Sequence, residues 1–302
     1  MSVGPVAPSN AELIHHVVSA AIHLGGWQSA FMQVNGVPVA SWPEPEEPPP
    51  AGWGNSSGAL LLPKKGWEAG SKDIVAVWQN AGGALEMAIW RRLDGTSDPH
   101  DGVGGLDADA ASQVLTPIAL GGGTYGDVVV VTDYGIFLVQ IDSDGTVPRA
   151  FYAGHLLSSY RLADDSGGEL GEEPIRFPLG AFSMVTGLGT AYFENQTVTA
   201  GLSLLPNGSV QPFPSLTGIA PRVFSEVHVG VVPAAPPNDF GTAAKVPNLF
   251  SVCASGADPE LTHLRDDSGA WYVGFLRTLM QMVGPSGQVK TRVLTYGGPL
   301  TT

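Results

Sequence analysis

Asp127-Val128-Val129-Val130-Val131-Thr132-Asp133-Tyr134-Gly135-Ile136-Phe137-Leu138-Val139-Gln140-Ile141 is the strongest apolar run in the chain, and it decides the fold class. β-Branched and aromatic side chains lose rotamer freedom in a helix and pack well on a pleated surface, so the run predicts strands. The break at Asp133-Tyr134-Gly135 divides it into two strands, or bends one strand at a bulge. Asp142-Ser143-Asp144-Gly145 then turns the chain into a further strand over Thr146 to Gly154.

Working outward, Lys72 to Gln79 and Ala84 to Arg91 read as strands around the turn Asn80-Ala81-Gly82-Gly83. Further strands are predicted at Gly189 to Leu205, Arg222 to Val232, Asn248 to Ala254, Ala270 to Val283 and Gln288 to Tyr296. Asp144-Gly145-Thr146-Val147, Asn207-Gly208-Ser209-Val210 and Ser286-Gly287-Gln288-Val289 share one hairpin form in which glycine supplies a positive φ. The sum is a mainly β chain, an antiparallel sandwich or barrel-like core with one N-terminal amphipathic helix.

That helix is predicted over Ser9 to Leu24. Leu13, Ile14, Val17, Val18, Ala21 and Leu24 recur at helical spacing, Ser9 and Glu12 suit a capping box, and Gly25-Gly26 ends the pattern. His15, His16 and His23 read as polar-face residues. Adjacent helical positions point about 100° apart, so the His15-His16 pair is a poor metal site. Ser41 to Gly54 holds Trp-Pro-Glu-Pro-Glu-Glu-Pro-Pro-Pro, which fits neither a helix nor a central strand and predicts an extended arm bracketed by Trp42 and Trp53. The arm suits either a neighbour's surface or a loop pinned by its own tryptophans. The expected organisation is 1–40 for the helix and first strand, 41–58 for the Pro-rich arm and 59–302 for the β-rich core. A candidate subdivision falls at 164–173, and another boundary at 233–245.

Composition narrows the function. Glycine and proline number 40 and 25 of 302 residues, and charged residues reach only 14% against about 25% in average proteins. Fourteen basic residues against 28 acidic ones would repel a phosphate backbone, so nucleic acid is not an expected partner. No apolar run approaches the ~20 residues of a membrane span, and Met-Ser-Val-Gly-Pro lacks the pattern of a secretory leader, so synthesis in the host cytoplasm is expected. Lone Cys253 forms no disulfide within the chain and reads as a small apolar strand residue. So thinly charged a surface matches the cores of protein interfaces and predicts a subunit of a larger assembly.

Motifs for chemistry are weak. Gly121-Gly122-Gly123-Thr124-Tyr125-Gly126-Asp127 lacks the Gly-Lys-Ser/Thr ending of a phosphate loop and leads into a strand. Asp142-Ser143-Asp144-Gly145 starts like a calcium loop, but its twelfth position is Ala153 rather than Glu; Asp164-Asp165 and Asp266-Asp267 are further acidic pairs. No catalytic, cofactor or metal residue is assigned. His155, at the end of a strand, would serve a hydrolase if acidic partners stood beside it. Trp67, Trp78, Trp90 and Trp271 fall in or near strand patterns and read mainly as core, with a sugar-stacking face as the alternative.

The layout of a capped helix running into Gly25-Gly26-Trp27, with Lys72-Asp73-Ile74-Val75-Ala76-Val77-Trp78 and Ala150-Phe151-Tyr152-Ala153-Gly154-His155-Leu156 following, resembles virion structural proteins of tailed bacteriophages. The likeness covers roughly the first 190 residues. It implies a non-enzymatic tail, neck or baseplate component, or a capsid-surface accessory, whose partners are copies of itself and other virion proteins. The interface candidates are Leu13, Val17, Trp42, Pro45, Pro49 and Trp53. A carbohydrate-binding module that recognises a host glycan on the same particle is the alternative, and a hydrolase is the third.

Overall fold

The structure, a computed structural model, describes residues 2–3, 9–71, 73–80, 82–90, 118–120, 125–142, 149–158, 178–183, 188–193, 196–203, 224–231, 242–253, 264–265, 271–274, 280–283 and 289–297. Strand β1 (Ser2–Val3) precedes helix α1 (Asn10–Ser19), which continues as a π-helical turn over Ala20–Leu24. There follow β2 (Gln28–Val34), β3 (Val37–Pro38), β4 (Ser57–Leu62), a short helix α2 (Lys64–Glu68), β5 (Ile74–Gln79), β6 (Leu85–Trp90) and β7 (Ile118–Leu120). Next come β8 (Tyr125–Val131), β9 (Gly135–Asp142), β10 (Arg149–His155), β11 (Leu157–Ser158), β12 (Leu179–Ser183), β13 (Leu188–Phe193) and β14 (Gln196–Ser203). The last strands are β15 (Phe224–Val231), β16 (Thr242–Cys253), β17 (Leu264–Arg265), β18 (Trp271–Gly274), β19 (Met280–Val283) and β20 (Val289–Gly297).

These strands form a six-stranded sheet in the order β3-β2-β4-β5-β6-β7 and a fourteen-stranded sheet that runs from β1 through β8, β9 and β10 to β17. Every described pairing is antiparallel: Tyr125↔Asp142 to Val131↔Ile136 joins β8 to β9, and Ile74↔Trp90 to Gln79↔Leu85 joins β5 to β6. The stretch Asp127 to Ile141 is therefore a hairpin, as its central break predicts. Ala59, Leu61, Val75, Val77, Met87 and Ile89 of the smaller sheet share a core with Val129, Ile136, Leu138, Ala153, Leu179 and Ala181 of the larger one. The arrangement is sandwich-like, and the smaller sheet also buries Leu60, Ile74, Ala76, Trp78, Ala88 and Trp90 on its other face. All six residues of β5 are buried, which is why its sequence is continuously apolar up to Trp78 instead of alternating.

Helix α1 packs on β4 and β5 of one sheet and on β8 of the other. Its start follows from the sequence: the Glu12 amide donates to Ser9 Oγ at 3.2 Å, and the Glu12 carboxylate accepts from the Ser9 amide. Its end differs from the expected single helix to Leu24. The Gly25 amide donates to the Ala20 carbonyl at 2.8 Å, the i→i+5 spacing of a π-turn, a feature frequent at functional sites. No helix among the described residues is long and apolar enough to cross a membrane.

The expected partition at residues 40 and 58 is redrawn by pairing. Gln28↔Leu62 to Gln33↔Gly58 joins β2 to β4, so the arm is an insertion within one sheet, between β3 and β4. The predicted strand over Gly189 to Leu205 is the hairpin β13–β14, and Ala270 to Val283 holds β18 and β19. The boundaries at 164–173 and 233–241, the loop residues Gly121 to Thr124 and Ser143 to Gly145, the turns at Asn207 and Ser286, and Asp266-Asp267 lie outside the described residues.

Candidate functional site

Two constellations concentrate the polar chemistry of the described residues. The first is a joint between the sheets, built around the Asp133-Tyr134-Gly135 break. Thr132 Oγ1 accepts from the amides of Tyr134 and Gly135 at 3.1 and 3.0 Å, which fixes the turn. Three successive carbonyls then face other elements. Thr132 accepts from Trp27 Nε1 at 2.8 Å, Asp133 from the Lys65 amide of α2 at 2.8 Å, and Tyr134 from the His155 amide at 2.9 Å.

His155 ends β10 on the face turned to the smaller sheet. Its Nε2 lies 3.2 Å from Asp73 Oδ2, just ahead of β5, with the two side chains 0% and 7% exposed. Gly66 of α2 lies against the ring: a Cβ there would stand 2.2 Å from His155 Cε1. The His155 carbonyl accepts from the Tyr152 hydroxyl. Burial, and then neighbouring Tyr134, push the Tyr152 phenol well above the ordinary tyrosine range, so it remains a donor. Tyr152 in turn lies against Gly135 and Gly154, where a Cβ would approach its hydroxyl to 2.6 and 3.0 Å.

A histidine held by a carboxylate is the orienting half of a nucleophilic triad. A carboxylate does stand beside His155, as a hydrolase would need. The imidazole is nevertheless sealed between the sheets, and a substrate reaches it only if they part. Its evident use is to fasten β10 to the lead-in of β5. Asp73 was not singled out from the sequence, where it reads as the start of a strand and lies 82 positions from its partner.

The second constellation holds the arm on the helix. Ser41 to Gly54 forms neither helix nor strand, and Glu44 to Glu47 closes a turn in which the Glu47 amide donates to the Glu44 carbonyl at 3.0 Å. Trp42, 4% exposed, belongs to the core shared by the sheets. Trp53 meets it edge-on at 6.1 Å and donates from Nε1 to Gln79 Oε1 at 2.8 Å. Between these posts the Ser19 hydroxyl donates to the Pro43 carbonyl. His23 Nε2 lies 3.0 Å from the Trp42 carbonyl, and Nδ1 lies 3.2 Å from Glu44 Oε2. His15 sits below, with Nδ1 3.4 Å from Ser19 Oγ. Burial first, and then His16, hold the His15 imidazole below its ordinary range, against the upward pull of the Glu47 and Pro45 backbone and the Glu47 carboxylate.

Several expectations need correction here. Leu13, Val17 and Trp42, taken as interface residues, are buried in the chain's own core, since the apolar stripe of α1 and the first tryptophan are needed to fill the space between the sheets. His15, read as a polar-face residue, is likewise buried. Pro45, Pro49 and Trp53 are half-buried and lie on the arm. The arm is a loop pinned by its own tryptophans, the second of its two predicted forms. Among the described residues no three His, Cys, Asp or Glu side chains converge as a metal site. No family model, characterised protein or solved structure matches the chain.

Proposed function

We propose that the chain is a structural subunit of a tailed-bacteriophage particle, in the tail, neck or baseplate or as a capsid-surface accessory. It acts through surfaces and not by catalysis, joins copies of itself and other virion proteins, and is made in the host cytoplasm before assembly. The observation that carries this reading is the scarcity of charge, 14% of residues, in a chain whose described surface exposes Val37 at 63% and Leu24 at 45%. Val37 lies on the short edge strand β3 beside the arm, where exposed Gly36, Pro38, Ala40, Ala51 and Gly52 add little charge. Such a surface loses little solvation on contact with another protein.

Deletion of Pro43 to Gly52 tests the role of the arm while leaving both tryptophan posts in place. A stable contact buries about 1,600 Å². Sedimentation and electron microscopy of the full chain are expected to show regular oligomers, and the deleted chain is expected to fold but assemble weakly. A full chain that stays monomeric at its highest soluble concentration, alone and with co-produced virion proteins, overturns the reading.

Half-buried Trp53, among the side-chain amides of Gln79 and Asn55, favours a second reading, a glycan-recognising module on the same particle: Gln79 Nε2 donates to Asn55 Oδ1 at 3.2 Å. Planar amides beside an indole suit sugar hydroxyls and the sugar face. Binding on a glycan array that Asn55→Ala abolishes would support it, and a flat array would remove it.

A further inference from the structure

We infer that His23 holds the Pro-rich arm as an imidazolium, so that the arm is fastened to the helix by a proton and loosens when that proton leaves. The argument is one of donors and acceptors. Nε2 faces the Trp42 carbonyl at 3.0 Å and Nδ1 faces a Glu44 carboxylate oxygen at 3.2 Å. A carbonyl and a carboxylate only accept, whereas a neutral imidazole has one N–H and one lone pair. In either neutral tautomer one ring nitrogen turns its lone pair on an acceptor oxygen. The doubly protonated ring donates to both.

The surroundings leave this proton to His23 and Glu44. Ser19, one helical turn away, already donates its hydroxyl to the Pro43 carbonyl, next to Trp42. Within the arm's turn, Glu47 accepts from the Glu44 amide at 3.1 Å and also acts on His15. His16 acts on His15 and Glu12 from the same helix. The cation nearest the end of the π-turn, Lys64, is paired with Asp133 at 4.0 Å. With its side chain 24% exposed, His23 can exchange its proton with solvent. The π-turn matters because it carries His23: both posts that reach the arm, Ser19 and His23, stand at or within this irregular end of the helix.

The test is hydrogen–deuterium exchange of the arm in the full chain across the imidazole range, corrected for the intrinsic pH dependence of exchange. Long-range nitrogen NMR of the His23 ring accompanies it. Losing one charge-assisted hydrogen bond corresponds to about a tenfold fall in protection of residues 44–47 as pH rises. Both His23 nitrogens should carry protons while the arm is docked. Glu44→Gln is the diagnostic variant, because a carboxamide can donate to the bare nitrogen of a neutral ring. It should keep the arm protected and flatten the pH dependence. His23→Gln should show low, pH-independent protection. Equal protection of the wild type at both ends of the range, or a docked arm over a neutral His23 ring, overturns the inference. Such a result would leave the assembly reading standing, since the two rest on different observations.

Discussion

Replacing His155 by alanine tests whether the joint between the sheets is a fastener. The substitution leaves the Asp73 carboxylate, 6% exposed as a residue, facing the space that the imidazole filled. Removing one partner of a buried ion pair costs about 3–5 kcal/mol, because the remaining charge is neither solvated nor paired. A domain's whole stability is about 5–15 kcal/mol, so the variant sits near the limit of folding. His155→Gln retains a donor for Asp73 and should lose roughly 1–2 kcal/mol, the scale of one imperfectly replaced hydrogen bond. Urea unfolding followed by circular dichroism gives both values, provided that the slope with denaturant is unchanged. Adding Asp73→Ala to His155→Ala should return about 1 kcal/mol or more, since removing the stranded carboxylate removes the penalty. A His155→Ala variant within 1 kcal/mol of wild type and additive with Asp73→Ala would refute the reasoning, and would show that the two sheets hold together without the pair.

Gly66→Ala drives a methyl group into the same imidazole, where the Cβ would lie 2.2 Å from Cε1; overpacking of this kind costs about 1–3 kcal/mol, and thermal unfolding should show it. Ser9→Ala removes the hydroxyl that accepts from the Glu12 amide and should cost about 1 kcal/mol in the same measurement. The Glu12 carboxyl is held below its ordinary range, first by the Ser9 amide and then by the Ser9 side chain. Its stabilisation is complete above the unfolded value and is lost as pH falls through the native one. His15, also depressed, destabilises on acidification in its own window. The unfolded chain takes up its proton first, so stability falls as pH drops through about 6.5 and levels off below the native value. A His15→Gln variant should lack that part of the pH profile, and an unchanged profile would count against burial as the cause.

The parts of the fold that could be read from sequence are those fixed by local chemistry. The Asp133-Tyr134-Gly135 break separates β8 from β9, and the Ser9 and Glu12 side chains cap α1 through contacts three residues apart. Strand β4 was missed because Ser-Gly-Ala-Leu-Leu-Leu favours a helix by propensity. It is extended because β2 and β5 flank it on both sides. The Leu-Gly-Ala-Phe-Ser of β12 escaped for the same reason. An apolar stripe on a helix states that it will be covered without stating by what, so Leu13 and Val17 were assigned to a partner when the chain's own sheets cover them. The joint was hidden by distance along the chain. Its members, Trp27, Lys65, Asp73 and His155, meet only because the hairpin β8–β9 offers successive carbonyls to all but Asp73.

Comparison of magnitudes defines which part of the arm can move. Releasing Trp42 from the core would expose an indole whose burial contributes about 4–6 kcal/mol, from ~150–250 Å² at about 25 cal/mol per Å². A charge-assisted hydrogen bond from His23 contributes only about 1.5–3 kcal/mol. Loss of the proton can therefore free the arm beyond Trp42 but cannot extract the tryptophan itself. At the far end Trp53 remains tied to Gln79, and the Gly36 amide donates to the Ser56 carbonyl at 3.1 Å, which keeps the neck of the insertion closed. The mobile part is thus the acidic, Pro-rich span between two fixed indoles. Because its ends are already held together by the pairing of β2 with β4, lifting it disturbs neither sheet.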